Sequence, residues 1–350
     1  MLFRSGYSGN VISDTVEGGT ISGGGSQSNR NRVVEWYSTI GGGSGNQAGN
    51  DLGTSPFATV GGGLNNKARG HASTISGGLS NEANESGATV GGGVSNHALT
   101  FRSTVSGGDN NTASGSYATV GGGQGNIAAG AHSFVVGRLA KNTNPDHAVV
   151  FIFADSSPAD FESTAANQFL VRATGGISLA TNSTLTTGCK LAAGSGTWSC
   201  TSNKNAKANF VQVDGRDVLA RVNQLPITMW NYKTQDATIR HIGPMAQDFY
   251  AAFNVGEDDT HIATIDADGI ALAAIQGLNE IVEEKDTRIA TLEKQTVAQQ
   301  KQIDDLTARL TALEQASGIV KSPPNDFANN SWILGAMFVA LVAMGARRMR

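Results

Sequence analysis

Glycine clusters recur at a fixed distance through the first part of this chain, and this period constrains the fold more than any other feature. From Val60 to Val135 the apolar residue in front of each cluster returns every fifteen residues. The residues at this position are Ile21, Ile40, Val60, Ile75, Val90, Val105, Val120 and Val135. An asparagine and then an alanine follow at constant offsets: Asn46, Asn66, Asn81, Asn96, Asn111 and Asn126, with Ala48, Ala68, Ala83, Ala98, Ala113 and Ala128. Self-similarity of this kind predicts a stack of equivalent structural units.

The length of one repeat limits what it can fold into. Fifteen residues are too few for a pair of helices, whereas the Thr-Val or Thr-Ile step before each glycine cluster suits a short β-strand followed by a sharp turn. We therefore expect residues 1–137 to form a β-roll with one coil per repeat, in which the asparagine amides form a ladder and satisfy backbone groups of the turns. One coil buries too little apolar surface to be stable, so stability must come from stacking and from neighbouring chains.

Composition and repeat together disfavour several classes of function. The 45 glycines lack a three-residue period, which argues against collagen. The net charge of −4 and the lack of a basic stripe give no electrostatic reason to expect a nucleic-acid partner. The run from Gly41 to Gly45 resembles a phosphate-binding loop, but the Gly-Lys-Ser/Thr that follows such a loop is missing. We predict no cofactor and no metal.

The fifteen-residue period stops at Arg138. Residues 148–153 are continuously apolar and residues 168–173 alternate, so both segments predict strands, and residues 138–201 are predicted to form a β connector. The two cysteines of the chain, Cys189 and Cys200, flank a Gly-Ser-Gly turn. They are either a disulfide formed in an oxidising compartment or two small buried thiols. No histidine is placed to complete a zinc site with them.

Four short sequence motifs after Thr201 are the most specific in the chain. They run from Ser202 to Lys207, from Trp230 to Tyr232, from Gly243 to Phe249 and from Asp266 to Gly269. In this order they resemble the C-terminal intramolecular chaperone of endosialidase-type phage tailspikes, a self-cleaving peptidase family, over about residues 202–315. The resemblance implies an α+β domain at residues 202–275 that helps three chains assemble into a homotrimer. It also implies that Ser202 is the nucleophile, that Lys207 is the base, and that the chain is cut between Thr201 and Ser202.

The implied pair of Ser202 and Lys207 needs a suitable environment. A serine hydroxyl is a good nucleophile when a base takes its proton, and a lysine amine is a base in its neutral form, which burial favours. A monomer offers little to bury Lys207, so cleavage is expected to depend on trimer assembly. Five residues apart, the two side chains do not share a face of a helix or a strand, so the backbone must bend between them or the lysine must come from a neighbouring chain. Without catalysis, Ser202 would be a helix N-cap and Lys207 a solvated charge.

Asn203 departs from the family pattern, in which aspartate usually follows the serine. Two functions of different classes therefore remain open. The first is a trimeric surface or tail fibre that cuts off its own chaperone after assembly, as a single-turnover endopeptidase. The second is an uncut, membrane-anchored trimeric adhesin in which the chaperone fold is a trimerisation clamp. If aspartate is needed to orient the pair, the second function applies.

A heptad pattern follows and predicts a coiled coil over residues 276–316. One heptad position holds Leu278, Lys285, Leu292, Gln299, Leu306 and Leu313, and the other holds Val282, Ile289, Thr296, Ile303 and Leu310. The pattern by itself suits two strands, so the expectation of three chains rests on the family resemblance.

The chain ends in a polar linker, residues 317–331, and an apolar segment with terminal arginines, residues 332–350. The uncharged run 332–346 is shorter than a typical membrane span, and Trp332 with snorkelling arginines would extend it. We expect a membrane-inserted helix with its arginine end in the cytoplasm, or a processed sorting signal. The alternative is an apolar helix packed on protein.

The repeats at about residues 15–137 resemble the head of trimeric autotransporter adhesins, a β-roll in which three chains pack side by side. This likeness implies a host-surface glycan or protein as partner of the head. The expected fold is a mainly β N-terminal part followed by an α+β chaperone domain, a trimeric coiled coil and a C-terminal apolar helix. The expected location is a bacterial membrane or cell surface, with a phage tail or virion as the alternative.

Overall fold

The computed structural model describes residues 2–318. The chain divides into two units, one ending at Ala208 and the other beginning at Asn209. The first unit is a β-solenoid followed by a small antiparallel sheet. The second unit contains helices and a two-stranded sheet. The predicted fold class, a mainly β N-terminal part followed by an α+β region and a long helix, is confirmed for these residues.

Short parallel strands stack into two sheets along the solenoid. Within residues 2–318 the first sheet has eleven strands: Phe3–Arg4, Thr20–Ile21, Thr39–Ile40, Thr59–Val60, Thr74–Ile75, Thr89–Val90, Thr104–Val105, Thr119–Gln124, Phe134–Arg138, Phe151–Ala154 and Phe169–Arg172. The second sheet of this part of the chain has ten: Val11–Ile12, Arg32–Val33, Gln47–Ala48, Lys67–Ala68, Glu82–Ala83, His97–Ala98, Thr112–Ala113, Ile127–Ala128, Ala140–Asn142 and Phe161–Glu162. Consecutive strands alternate between the sheets, so each coil supplies one strand to each.

The second residue of each two-residue strand of the first sheet, other than Phe3–Arg4, faces the core. Thr74 is half-buried while Ile75 is fully buried, and the two pair in register with Thr89 and Val90 of the next coil. The fully buried residues of this row are Ile21, Ile40, Val60, Ile75, Val90, Val105, Val120, Val135 and Ile152. Because equivalent positions lie directly above one another, each core residue is covered by those of the neighbouring coils, and stability comes from stacking.

The predicted ladder of asparagine amides is present. Asn81 is fully buried, and its side-chain amide donates to the Gly77 carbonyl of its own coil at 2.9 Å and to the Gly93 carbonyl of the next coil at 3.0 Å. Its side-chain oxygen accepts the backbone N–H of Asn96 at 2.9 Å. The second glycine of this cluster, Gly78, has a φ of 93°, and a Cβ there would collide with the Gly93 carbonyl. The repeated Gly-Gly and Asn positions therefore serve one hydrogen-bonded turn.

The solenoid continues beyond the point at which the sequence period stops. Strands Phe151–Ala154 and Phe169–Arg172 extend the first sheet. Phe134 pairs with Phe151, which is seventeen positions later, whereas the regular repeats pair residues fifteen positions apart. The coils keep their pairing while their turns lengthen, which hides the period. After them come three antiparallel strands, Gly176–Ala180, Gly188–Ala192 and Trp198–Cys200. The segment predicted as a connector, residues 138–201, is thus divided between solenoid coils and this three-stranded sheet.

The second unit is organised by three helices: α1 at Gly215–Val222, α2 at Ala246–Phe253 and α3 at Thr264–Ala316. Strands Thr228–Trp230 and His241–Gly243 form an antiparallel pair between α1 and α2. Helices α1 and α3 pack closely because both have glycine at the contact, where a Cβ on Gly277 would collide with the Gly215 carbonyl. Arg216 of α1 donates hydrogen bonds of 3.0 Å to both Glu280 and Glu284 of α3.

Helix α3 starts at Thr264, twelve residues before the predicted coiled-coil segment 276–316, and covers all of that segment. Within residues 2–318, no helix is both long enough and apolar enough to cross a membrane. The predicted linker beyond Gly318 and the apolar segment 332–350 lie outside the described residues, so the membrane anchor stays a prediction.

Candidate functional site

The segment predicted to contain the cleavage point is anchored to the three-stranded sheet. Cys200, at the end of strand Trp198–Cys200, pairs with Cys189 across the sheet, and the two are joined by a disulfide. The next residue, Thr201, donates its N–H to the Gly188 carbonyl at 2.9 Å and its hydroxyl to the same carbonyl at 3.1 Å. The chain on the N-terminal side of Ser202 is therefore held by a covalent link and two hydrogen bonds.

A single turn of 3₁₀ helix, Lys204–Ala206, follows Ser202. Asn203 is its N-cap, and the Asn203 side chain accepts the N–H of Asn205 at 2.9 Å. At the other end, the N–H of Lys207 donates to the Lys204 carbonyl at 3.1 Å. This tight turn supplies the bend that the five-residue spacing requires.

The turn brings the two predicted site residues together. The amine Nζ of Lys207 donates a hydrogen bond of 2.8 Å to Oγ of Ser202. Both side chains are exposed in the single chain. A neutral amine at this position would accept the hydroxyl proton, so the geometry is that of a nucleophile beside a base. Asn203 caps the turn, and Ser202 lies one position before it. Ser202 is therefore not a helix N-cap, which was the role expected of it without catalysis.

A cavity of about 380 Å³ lies beside Ser202. It is lined by the three-stranded sheet and by Thr201, Ser202 and Asn203.

Sequence reasoning did not identify Gly188, whose carbonyl holds Thr201, as part of the site. The available signal was the cysteine pair, because Cys189 and Cys200 place Gly188 and Thr201 at neighbouring ends of two strands. Within residues 2–318, no three His, Cys, Asp or Glu side chains are grouped as metal ligands.

Two of the other sequence motifs meet in the second unit. Residues of the Trp230 to Tyr232 motif and of the Gly243 to Phe249 motif line a cavity of about 530 Å³. Trp230 contacts Tyr232 and His241, with ring centroids 5.0 and 4.8 Å apart. Phe249 is buried and packs against Phe253, one turn further along α2. Phe249 is the buried member of this aromatic group, whereas Tyr232 is largely exposed.

Comparison with known proteins agrees with this arrangement. Residues 202–255 match the model of the family described as chaperone of endosialidase, Peptidase S74. The match begins at Ser202 itself and includes Lys207 and both aromatic motifs. A search of curated proteins gave no match to the chain. Residues 202–255 are therefore similar to the chaperone-of-endosialidase family, and in this chain they follow an N-terminal β-solenoid.

Proposed function

We propose that this chain is a trimeric, tail-fibre-like protein whose C-terminal region guides assembly and is then cut off between Thr201 and Ser202. The family match and its position after a β-solenoid support an intramolecular chaperone on a fibre. The same family favours a phage tail or virion as the location. A location at a bacterial membrane depends on residues 332–346.

The surface of α3 supports association between chains. Its heptad positions carry apolar side chains that are exposed in the single chain: Leu278, Val282, Ile289, Leu292, Ile303, Leu306, Leu310 and Leu313. A row of large apolar residues at this spacing is stable in water when it is buried against equivalent helices. Three copies of the chain, brought together by the chaperone domain, would cover this row.

The 2.8 Å contact between Lys207 and Ser202 is the observation that carries the cleavage proposal. The neutral amine takes the hydroxyl proton while Oγ of Ser202 attacks the carbonyl carbon of Thr201. The C–N bond between Thr201 and Ser202 then breaks, and the leaving nitrogen receives the proton from Lys207. Thr201 is now attached to Ser202 as an ester. Water hydrolyses this ester and leaves a carboxylate on Thr201 and a free amine on Ser202.

Assembly supplies the condition under which this step runs. Both side chains of the pair are exposed in the single chain, where water stabilises charged groups. A neighbouring chain that covers the pair would exclude water and favour the neutral amine, which is the active form of a lysine base. Cutting would then follow trimer formation and would not precede it.

The uncut alternative is favoured by one observation, the exposure of Ser202 and Lys207. If assembly leaves the pair in water, the domain is a permanent trimerisation clamp.

Asn203 also affects whether the chain is cut or stays uncut. Its side chain caps the turn between Ser202 and Lys207, and an aspartate can cap it in the same way. Asn203→Asp should therefore keep the turn and leave the rate of cutting equal or higher.

Intact mass measurement of the purified chain tests the proposal. We expect two pieces, one ending at Thr201 and one beginning at Ser202. Ser202→Ala should abolish both pieces while sedimentation still gives a trimer, because the change removes one exposed hydroxyl and no core volume. A wild-type trimer that stays full length, with Asn203→Asp also uncut, would contradict the cleavage proposal and leave the clamp. A full-length monomer would contradict both.

A further inference from the structure

The first coils of the solenoid differ from the regular ones at one corner. The connection from strand Gln47–Ala48 to strand Thr59–Val60 takes ten residues, where the next equivalent connection, after Lys67–Ala68, takes five. The longer connection forms a loop that folds against two earlier connections of the same corner, residues 13–19 and 34–38. In stacked repeats, insertions of this kind gather on one face, and that face is often the binding face.

The loop encloses a pocket of about 470 Å³. Its walls include Trp36, Pro56, Glu35 and Asp51, and Ser13 and Thr15 contribute from the first connection. This volume lies within the range of roughly 300–1,000 Å³ that is usual for small-molecule sites. The pocket therefore combines an aromatic wall, two carboxylates and two hydroxyl-bearing residues in one concave surface.

Trp36 is placed for contact with a ligand. Trp36 is 52% exposed, although its indole N–H is fixed by a 2.8 Å hydrogen bond to the Thr15 carbonyl. The hydrogen bond orients the ring without covering it. A large aromatic side chain that is held rigidly and left open to solvent is typical of recognition surfaces.

Glu35 is a buried carboxylate on the pocket wall. It is 4% exposed, and its Oε1 accepts the N–H of Gly53 at 2.7 Å. That is the one hydrogen bond of the Glu35 side chain among residues 2–318. An ionised carboxylate can accept several, so the group keeps capacity for donors from a ligand. Asp51, on the same wall, is paired with Arg32 at 3.1 Å.

We infer that this pocket binds a neutral sugar unit of a glycan. A sugar ring presents hydroxyl groups that donate to Glu35 and Asp51 and accept from Ser13 and Thr15, and its C–H face packs on the exposed ring of Trp36. An acidic sugar is disfavoured, because its carboxylate would face Glu35 and Asp51 while Arg32 balances one of them. The ligand class is therefore a neutral hexose or N-acetylhexosamine unit.

Binding to immobilised glycans tests this inference with the full-length protein. We expect retention on neutral glycans ending in glucose, galactose, mannose or N-acetylglucosamine, and none on their sialylated counterparts. Trp36→Ala should weaken binding by roughly tenfold or more, as is usual for a central aromatic contact. Trp198→Ala is the matched control, since Trp198 is also 52% exposed and lies in the three-stranded sheet.

A second variant keeps the test valid if Trp36→Ala does not fold. Glu35→Gln retains an acceptor for the Gly53 N–H but removes the charge, and it should weaken binding by roughly tenfold. Saturation-transfer NMR with the methyl glycosides of the same four sugars should give signals with the wild-type chain and lose them with Glu35→Gln. The inference does not depend on cleavage, so Ser202→Ala should bind like the wild type. Equal binding of sialylated glycans, or no binding of any neutral sugar, would overturn it.

Discussion

The amine of Lys207 lies 2.8 Å from the hydroxyl of Ser202 because one turn of 3₁₀ helix separates the two residues. Neither a regular helix nor a strand brings side chains five positions apart together. The turn is held by its own caps, from Asn203 at one end and from the Lys204 carbonyl at the other. The contact is therefore built within one chain, and no neighbouring chain is needed to supply the lysine.

Lys207→Arg should abolish cutting if the amine acts as a base. Arginine keeps a positive charge and a hydrogen-bond donor at this position but does not lose its proton at any accessible pH. Intact mass measurement over a day of incubation should therefore show full-length chains. Lys301→Ala, which removes an exposed lysine of α3, is the control and should still cut. Fragments from the arginine variant would mean that Lys207 acts by charge and not by proton transfer.

The disulfide should speed cutting because it anchors the strand that leads to Thr201. Replacing both Cys189 and Cys200 by serine should slow the reaction roughly tenfold, because the Thr201 carbonyl would be held less well in position for attack. A gel time course of freshly purified protein would measure the rate. Ser199→Ala, on the same strand, should have no effect. If the double variant cuts at the wild-type rate, the hydrogen bonds of Thr201 to Gly188 are sufficient.

The apolar row of α3 should control association. Ile289, 52% exposed in the single chain, would be buried in a trimer. Ile289→Glu should weaken the assembly by roughly tenfold or more per chain, given the free energy gained by burying a side chain of this size. Sedimentation equilibrium of the full-length protein provides the measurement. Ala290→Glu places the same charge next to the row and should leave the trimer intact.

The asparagine ladder should dominate the stability of the solenoid. Asn96→Ala removes side-chain hydrogen bonds to the Gly92 carbonyl (2.8 Å) and from the Asn111 N–H (3.1 Å) in a fully buried site. Each loss of this kind costs about 1–3 kcal/mol. Thermal unfolding followed by circular dichroism, in the uncut Ser202→Ala chain, should show a clearly lower midpoint. Asn84→Ala, at a half-buried position, should change it little, and equal effects of the two variants would contradict a structural ladder.

Acid should loosen the last coils of the solenoid. Hydrogen bonds from the side chain and backbone of Thr174 hold the pKa of Asp155 well below its ordinary value of 3.8. Because this pKa is lower in the folded state, the stabilisation is present above the ordinary value and is lost progressively as the pH falls below it. Between pH 7 and pH 3 the unfolding midpoint should fall more for the wild type than for Asp155→Asn. Asp160→Asn, an exposed aspartate of the same coils, should behave like the wild type.

The repeated part of the fold could be predicted residue by residue. In a parallel stack with equivalent coils, each position meets its own copy in the next coil, so the pattern of one repeat determines the pairing of all. For this reason Val60 and Ile75 are core residues, and Asn66 and Asn81 form a ladder, as the period indicated. Past Val135 the turns vary in length, and the continuing coils could not be recognised from spacing.

The candidate sites were predictable in part. Ser202 and Lys207 were identified from a sequence motif, but the motif does not contain the sheet that holds Thr201 or the shape of the turn between them. The sequence shows a longer repeat between Ile40 and Val60, but it does not show the pocket at Trp36, because the pocket depends on a contact between Glu35 and Gly53, which lie eighteen positions apart.

Sequence by itself determined the repeating units, the order of the motifs and the long amphipathic helix, since each depends on neighbours within one repeat or a few helical turns. Tertiary structure decided which of these residues meet. Gly215 and Gly277 allow α1 to lie against α3, and the Trp230 and Gly243 motifs converge on one cavity, through contacts between residues far apart in the chain. Such contacts depend on how whole elements pack, and no local pattern of residues specifies them.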